Sequence, residues 1–429
     1  MKIIIIIITL IISLVILRKK GVSRLLWLMG GVLYIHDFQI HPPFGIHIIL
    51  IFSFIVSVLR EKIFKIEVQK YPFKWVTLIL LIIHIMIGLV DDRISLLSGM
   101  SRSIMRFSTT YLCFFLGYLS IKKDGDFIYF VNKLVVLLIP IIIWGFITGI
   151  LQSNPYYDAI TSSFGNNVGI WSEVQDRGYR VCSFFSNPIV YGAVMGMFCM
   201  FMFIFLQPQY QSTKYLLCAC LLINVLMANS RTGLVSTGLL VLLYIILVYG
   251  RNVFALLRIT IVMTLLLVLA YNMSGSLQSI FDSIIDLYKT GGEHTQGSDV
   301  DLKITQMTIS LLYFYEKPWF GHGFGFFDEE LIGHDKKLAG LEGYIYNLLI
   351  EQGVFMIIAV CLFAVWFIYY CLKNKSSFMY RNFTVATFVS FVFFICATGT
   401  YGNVFEYFAL LLGVNIKMIQ LHSSMIYRR

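Results

Sequence analysis

Residues 354–372 read VFMIIAVCLFAVWFIYYCL, nineteen residues without a charge or a proline. As a helix rising 1.5 Å per residue this run spans about 28 Å, close to the roughly 30 Å hydrocarbon core of a bilayer. Residues 3–17 (IIIIIITLIISLVIL) and 75–90 (WVTLILLIIHIMIGLV) are nearly as long. The rest of the 429-residue chain agrees: 58 % of it is hydrophobic and only 13 % charged, with a mean hydropathy of +0.81. A soluble chain carries about 25 % charge, so this one lacks the residues to cover a water-facing surface. The same composition excludes a disordered chain, a coiled coil and a disulfide-stapled secreted module. The expected fold is all-α, a polytopic transmembrane helical bundle formed by residues 1–429 as one membrane domain.

Repeating this reading along the chain predicts thirteen spans, near 3–17, 25–40, 45–59, 75–90, 107–121, 134–151, 188–206, 215–229, 232–249, 259–273, 344–372, 382–398 and 404–416. The first run has no small-residue cleavage site, and RKK follows it, so it reads as a retained span rather than a signal peptide. Lys and Arg bias sets the orientation. With the N-terminus outside, the inner segments 18–24, 60–74, 122–133, 207–214, 250–258, 373–381 and 417–429 hold 21 of the 33 basic residues and 4 of the 23 acids. The net charge of +10 therefore reflects topology. No aromatic-basic motif or helix-turn-helix pattern points to nucleic acid.

Two predicted outer loops are long, 152–187 and 274–343, and loops beyond about 15 residues usually carry function or are disordered. The second contains KTGGEHTQGSDVD (289–301) followed by LKITQMTISLLYFY (302–315). Helical spacing puts Ile304, Met307, Thr308, Leu311, Leu312 and Tyr315 on one face. That segment is expected to lie on the membrane surface or to pack over the bundle. Of eight Cys, Cys182 alone sits in an outer loop, and the eight His show no ligand spacing. Neither a disulfide pair on the outer face nor a metal site is expected.

The first long loop ends DRGYRVCSFFSNPIVYGAVMGM (176–197). Arg177 and Arg180 stand there among aromatic and apolar residues, where a weakly hydrated guanidinium suits bidentate phosphate binding. Arg231 sits at the tip of a tight hairpin, ANSR/TGLVSTG, with Ser230 and Thr232 as candidate caps. The alternative for Arg231 is an interface side chain that snorkels. Lys303 opens the amphipathic segment. EKPWFGHGFGFF (316–327) follows; no strand precedes it, which argues against a dinucleotide fingerprint. Its alternating glycines around His322 read as a Gly-aromatic turn packed on the bundle, the alternative being backbone N–H groups turned to a phosphate. In GLEGYIYNLLIEQGVF (340–355), Glu342 precedes the eleventh span and is the acid-base candidate, with Tyr346 and Asn347 placed to orient it. A helix N-terminal acid complementing the macrodipole is the alternative. Glu351, at membrane depth, is a costly carboxylate that is usually paired or functional.

Taken in order, the Arg before SFFSNPIVYG, the NSRTG tip, the amphipathic segment leading into KPWFGHGFGFF, and the polar residue before GYIYNLLIEQGV resemble the O-antigen ligase and O-antigen polymerase superfamily. The resemblance covers mainly residues 177–240 and 302–366. It implies a GT-C-like bacterial envelope glycosyltransferase that takes a glycan from undecaprenyl pyrophosphate to a sugar hydroxyl, with no metal or other cofactor. Arg180 and Arg231 fall on the basic motif positions that bind pyrophosphate, and with Glu342 they form the expected catalytic set. Lys303 stands where many members have Arg. Arg177, Lys303, His322, Tyr344, Tyr346 and Asn347 are the expected substrate contacts.

Ligases of this superfamily carry His at the position of Glu342, so the departure points to the polymerase (Wzy-type) branch. The implied setting is the bacterial inner membrane, with the site on the periplasmic or external face. Expected partners are undecaprenyl-pyrophosphate-linked oligosaccharides, membrane lipids, a chain-length regulator and a flippase. The competing readings are a ligase acting on lipid A core or another acceptor, and a flippase. A flippase is disfavoured because no internal repeat is seen.

Overall fold

The computed structural model describes residues 2–35, 39–41, 44–61, 64–158, 179–250, 252–273, 300–331, 343–374, 378–398 and 404–426, with the isolated positions 278, 282 and 285. These residues are helical almost throughout, and the chain is an all-α polytopic membrane protein. Among the described residues, the exception is a two-stranded antiparallel pair, Gln39–His41 with Phe44–Gly45.

Every predicted span falls on a helix, although several boundaries move. The second span ends at Ile35, since Gln39–His41 is already extended. The fifth belongs to a longer helical stretch, Leu96–Phe107, Ser108–Leu112 and Cys113–Ser120, whose middle piece is a π-helical turn. The sixth starts at Asp124, where Asp124 and Asp126 occupy the first turn and complement the helix dipole. The last runs on to Ile426, so Lys417 lies inside a helix. Six described helices are long and apolar enough to cross a bilayer. A seventh is added if Phe64–Lys70 and Lys74–Val90, bent by 98°, count as one span. Gln211–Met227 and three helices near the N-terminus are shorter apolar ones.

The chain divides into two compact units. Unit 1 comprises residues 1–2, 128–300 and 378–394, and unit 2 comprises 3–127, 301–377 and 395–429. In unit 1, Pro188–Phe205 packs against both arms of the hairpin Gln211–Met227 and Arg231–Tyr249. Asn382 Nδ2 donates to Leu247 O at 3.2 Å and Ser390 Oγ to Ser236 O at 2.6 Å, tying the 378–394 segment to the same hairpin.

In unit 2, Val404–Ile426 lies along Cys113–Ser120. A side chain at Gly117 would overlap the Leu410 backbone, and one at Gly413 the Phe114 backbone. Facing glycines therefore set the distance between these helices, as small residues commonly do in membrane bundles. One end of unit 2 is basic and cross-linked. Arg24, 2 % exposed, pairs with Glu61, and Lys122 joins the same carboxylate at 3.4 Å. Lys417 Nζ meets Glu67 Oε2 at 2.5 Å, and Gln420 Nε2 donates to Lys70 O at 2.9 Å. Burial alone pushes the Glu61 carboxyl up, but the Arg24 hydrogen bond and charge, together with Lys122, hold it below its ordinary value. Members of the predicted inner segments 18–24, 60–74, 122–133 and 417–429 thus gather at one end of unit 2. Members of its predicted outer segments gather around a different cluster, described next.

Candidate active site

Unit 1 holds Arg180 and Arg231. The loop carrying Arg180 is pinned from several sides. Asn154 Nδ2 donates to Ser183 O at 2.7 Å, Tyr157 Oη to Phe184 O at 2.8 Å and Ser183 Oγ to Ile141 O at 2.8 Å. Phe184 stacks on Trp144, and Val181 N donates to Met227 O at 3.0 Å. That last bond joins the loop to the hairpin tip four residues before Arg231, so both arginines lie at the same end of unit 1. Arg180 is only 8 % exposed and Arg231 is half-buried. Burial pushes the neighbouring Tyr179 phenol up to about 12.

Local sequence explains the geometry here. Asn187 caps its helix by accepting from Ile189 N at 2.7 Å, with Pro188 at the first helical position. Ser230 caps the next by accepting from Gly233 N at 3.1 Å. Of the two candidate caps it is therefore Ser230, with Thr232 already inside the helix. Asn229 takes the left-handed conformation, φ +48, that turns the chain between the hairpin arms.

Unit 2 holds the Gly-aromatic turn, which packs on the bundle as expected. Gly321, Gly323 and Gly325 all have positive φ, +69, +95 and +86. Their backbone is read by the span that follows: His322 N donates to Ile350 O and Gly323 N to Glu351 O. The Glu351 carboxylate accepts from Gly325 N at 2.9 Å and Phe327 N at 3.2 Å. Glu351 therefore clamps the turn, which accounts for its presence at membrane depth. Arg93 forks onto Asp91 with bonds of 3.0 and 2.8 Å, reaches His322 O at 3.2 Å, and lies over the Phe326 ring. Arg102 donates to Phe324 O at 3.2 Å.

His322 is buried, stacked on Phe326 at 4.3 Å, with Nε2 at 3.0 Å from Tyr313 O. Burial holds its imidazole below the ordinary value, although the Tyr313 carbonyl favours the charged form. This is the environment of a packed ring.

A side chain at Gly323 would overlap the Asp91 carboxylate and would be strained at its φ. Gly323→Ala should cost about 2–4 kcal/mol, seen as a lower melting temperature of the purified protein in detergent. Gly238→Ala, in a helix with open space at its Cβ, should leave the melting temperature unchanged or slightly higher. Equal behaviour of the two variants would refute the close packing of Gly323 on Asp91.

The amphipathic segment is the helix Val300–Glu316. Its predicted apolar face is turned outward: Ile304, Leu312 and Tyr315 are exposed, while Gln306 and Ser310 are buried. It packs on the rest of unit 2 through Ile309 and Tyr313, which lie against Phe327 and Ile350. Tyr346 Oη donates to Lys303 O at 3.4 Å, bringing these two predicted contacts together.

Tyr344 and Asn347 line a cavity of about 30 Å³ with His84, Arg106, Thr109, Thr110, Phe324, Glu351, Gln352, Phe405 and Glu406. Glu406 is wholly buried and lies 3.3 Å from His47 Nε2. Two walls of the cavity are π-helical turns, Ser108–Leu112 and Leu348–Gln352, a distortion frequent at functional sites. His84, Arg106, Gln352 and Glu406 escaped the sequence reading. The signal was available for His84 and Glu406, since ionisable residues inside spans are functional candidates by default.

Arg177 and Glu342 lie outside the described residues. Among the described residues, no group of three His, Cys, Asp or Glu is arranged to hold a metal.

Residues 216–348 match the family described as O-antigen ligase. The match covers less than a third of the chain and supports its resemblance to the O-antigen ligase and polymerase superfamily. The match takes in Arg231, Lys303, His322, Glu342, Tyr344, Tyr346 and Asn347, and stops short of Arg177 and Arg180. No curated protein matches the chain. Together with the apolar helices, the match supports a multi-pass membrane enzyme of the glycosyltransferase type in O-antigen or polysaccharide assembly.

Proposed function

We propose that the protein polymerises lipid-linked oligosaccharide repeat units. It moves a growing glycan from undecaprenyl pyrophosphate to a sugar hydroxyl of another lipid-linked unit. The observation carrying this reading is Glu342, which stands where the superfamily's ligases have His. In the reaction the acceptor oxygen bonds to the anomeric carbon as the carbon–pyrophosphate bond breaks. The hydroxyl proton goes to a base, and the electron pair leaves with the pyrophosphate. Glu342 takes the proton, and Arg180 and Arg231 stabilise the charge that develops on the leaving group. Because the substrate is anchored in the membrane, the site belongs at its surface. The basic bias of the predicted inner segments supports a site on the external face, and the resemblance to envelope glycosyltransferases supports a bacterial inner membrane. A chain-length regulator and a flippase are the proposed partners.

Transfer to lipid A core or another acceptor, as the description O-antigen ligase suggests, is the second reading. A deletion strain separates the two. Loss of a polymerase leaves single repeat units on the final acceptor, so a gel of surface polysaccharide shows one short band in place of a ladder. Loss of a ligase leaves the acceptor bare while polymer builds up on the lipid carrier. The single band is expected, and a bare acceptor with a full carrier-linked ladder would falsify the polymerase assignment.

A further inference from the structure

The cavity in unit 2 is built from groups of unequal burial. Arg106 is exposed, and Thr109, Thr110, Asn347 and Phe405 are half-buried, which makes them the rim. His84, Phe324, Tyr344, Glu351, Gln352 and Glu406 are buried and form the floor. Two carbonyl oxygens stand out. Gln352 Oε1, on a side chain 6 % exposed, and Asn347 Oδ1 are both buried atoms with no hydrogen-bond partner among the described residues. Both residues line the same cavity. Buried acceptors of this kind are normally matched by a donor, so two of them call for a ligand that donates.

The remaining lining narrows the chemistry. Glu351 and Glu406 put two carboxylates in the floor against one cation at the rim, which disfavours an anion in the interior. About 30 Å³ admits roughly one or two waters, or one hydroxyl or hydroxymethyl substituent, and not a whole ring. Phe405 at the rim, set edge-on to Tyr344 at 5.2 Å, offers an apolar ring edge beside the opening.

We propose that this cavity is a sugar subsite that takes one hydroxyl-bearing substituent of the repeat unit, read by the amide oxygens of Gln352 and Asn347. The inference rests on the polymerase reading above and adds to it a pair of specificity-determining residues. A site that pairs a substrate hydroxyl discriminates strongly, because an analogue lacking that hydroxyl leaves the protein's own polar groups unmatched.

The test uses the full-length enzyme in nanodiscs. Its substrate is the lipid-linked repeat unit extracted from a strain lacking this protein. Gln352→Leu keeps a side chain of similar size and removes the acceptor, together with the amide's hydrogen bond to Tyr344. It should raise KM for the repeat unit tenfold or more, with kcat within threefold and the melting temperature lowered by no more than a few degrees, the cost of one buried hydrogen bond. Asn347→Leu should shift KM in the same direction. If Gln352→Leu does not fold, Asn347→Leu decides, since its position is half-buried. An unchanged KM in folded variants, beside an active wild type, overturns the subsite alone and leaves the cavity to water. A wild type that does not elongate these units overturns the polymerase reading and the subsite with it.

Discussion

Replacing either Arg180 or Arg231 by lysine is expected to cut polymer formation by a hundredfold or more, although the charge is kept. Displacing pyrophosphate from an anomeric carbon builds up negative charge on several oxygens at once. A guanidinium meets two of them with parallel bonds from one rigid plane, whereas an ammonium meets them as a point charge. Losing one such contact to a charge that develops only in the transition state costs roughly 3–4 kcal/mol, a factor of a hundred to a thousand in rate. The two residues differ in a useful way. Arg180 is buried on a loop held by Asn154, Tyr157 and Ser183, so its head has few alternative positions. Arg231 is half-buried at the first position of a helix capped by Ser230. Lysine at Arg180 should therefore be the more damaging of the two. The measurement is the rate of ladder formation from lipid-linked repeat units, with protein abundance checked by immunoblot. Full activity in well-expressed Arg→Ala variants would reduce Arg180 to a packing role and Arg231 to a snorkelling one.

The features legible in the sequence were those that repeat or that a short rule captures. Apolar runs near bilayer length marked the helices, six of which are long and apolar enough to cross a bilayer among the described residues, and Lys/Arg asymmetry grouped the loops. Asn187-Pro188 marked a helix start that the structure places at Pro188. The GHGFG stretch was readable as a turn because three alternating glycines permit positive φ. Its partner was not readable. The Glu351 carboxylate reaches Gly325 N and Phe327 N across 26 and 24 residues, and no local pattern encodes such a closure.

The outer face of Val300–Glu316 shows a different limit. Helical period identified an apolar stripe, but in a membrane protein that stripe need not face the core. Here Gln306 and Ser310 are the buried positions, because small and polar residues serve helix contacts where lipid already satisfies the apolar ones. The cavity was missed for a third reason. His84, Arg106, Gln352 and Glu406 come from four separate helical segments, and only the tertiary fold brings them to Tyr344 and Asn347.

The largest effect is expected at Glu342. Glu342→Gln preserves shape and hydrogen bonding but removes the ability to take a proton, which typically costs a hundredfold to ten-thousandfold for a general base. The residue immediately precedes Gly343, whose φ of +150 turns the chain into the helix beginning at Tyr344. Two roles compete at such a position. An acid before a helix start stabilises the dipole by about 0.3–1 kcal/mol, an effect on stability that leaves chemistry nearly untouched. A base acts on the rate and leaves stability nearly untouched. Melting temperature and polymer length therefore separate the roles in one variant. The expected outcome is a folded, normally abundant Glu342→Gln protein whose surface polysaccharide shows the single short band of the deletion strain. Glu342→Asp should restore part of the ladder, since it keeps the carboxylate and shortens its reach. A normal ladder from Glu342→Gln, with a lowered melting temperature, would make Glu342 a helix-terminal acid and move the search for the base to the other carboxylates of unit 2.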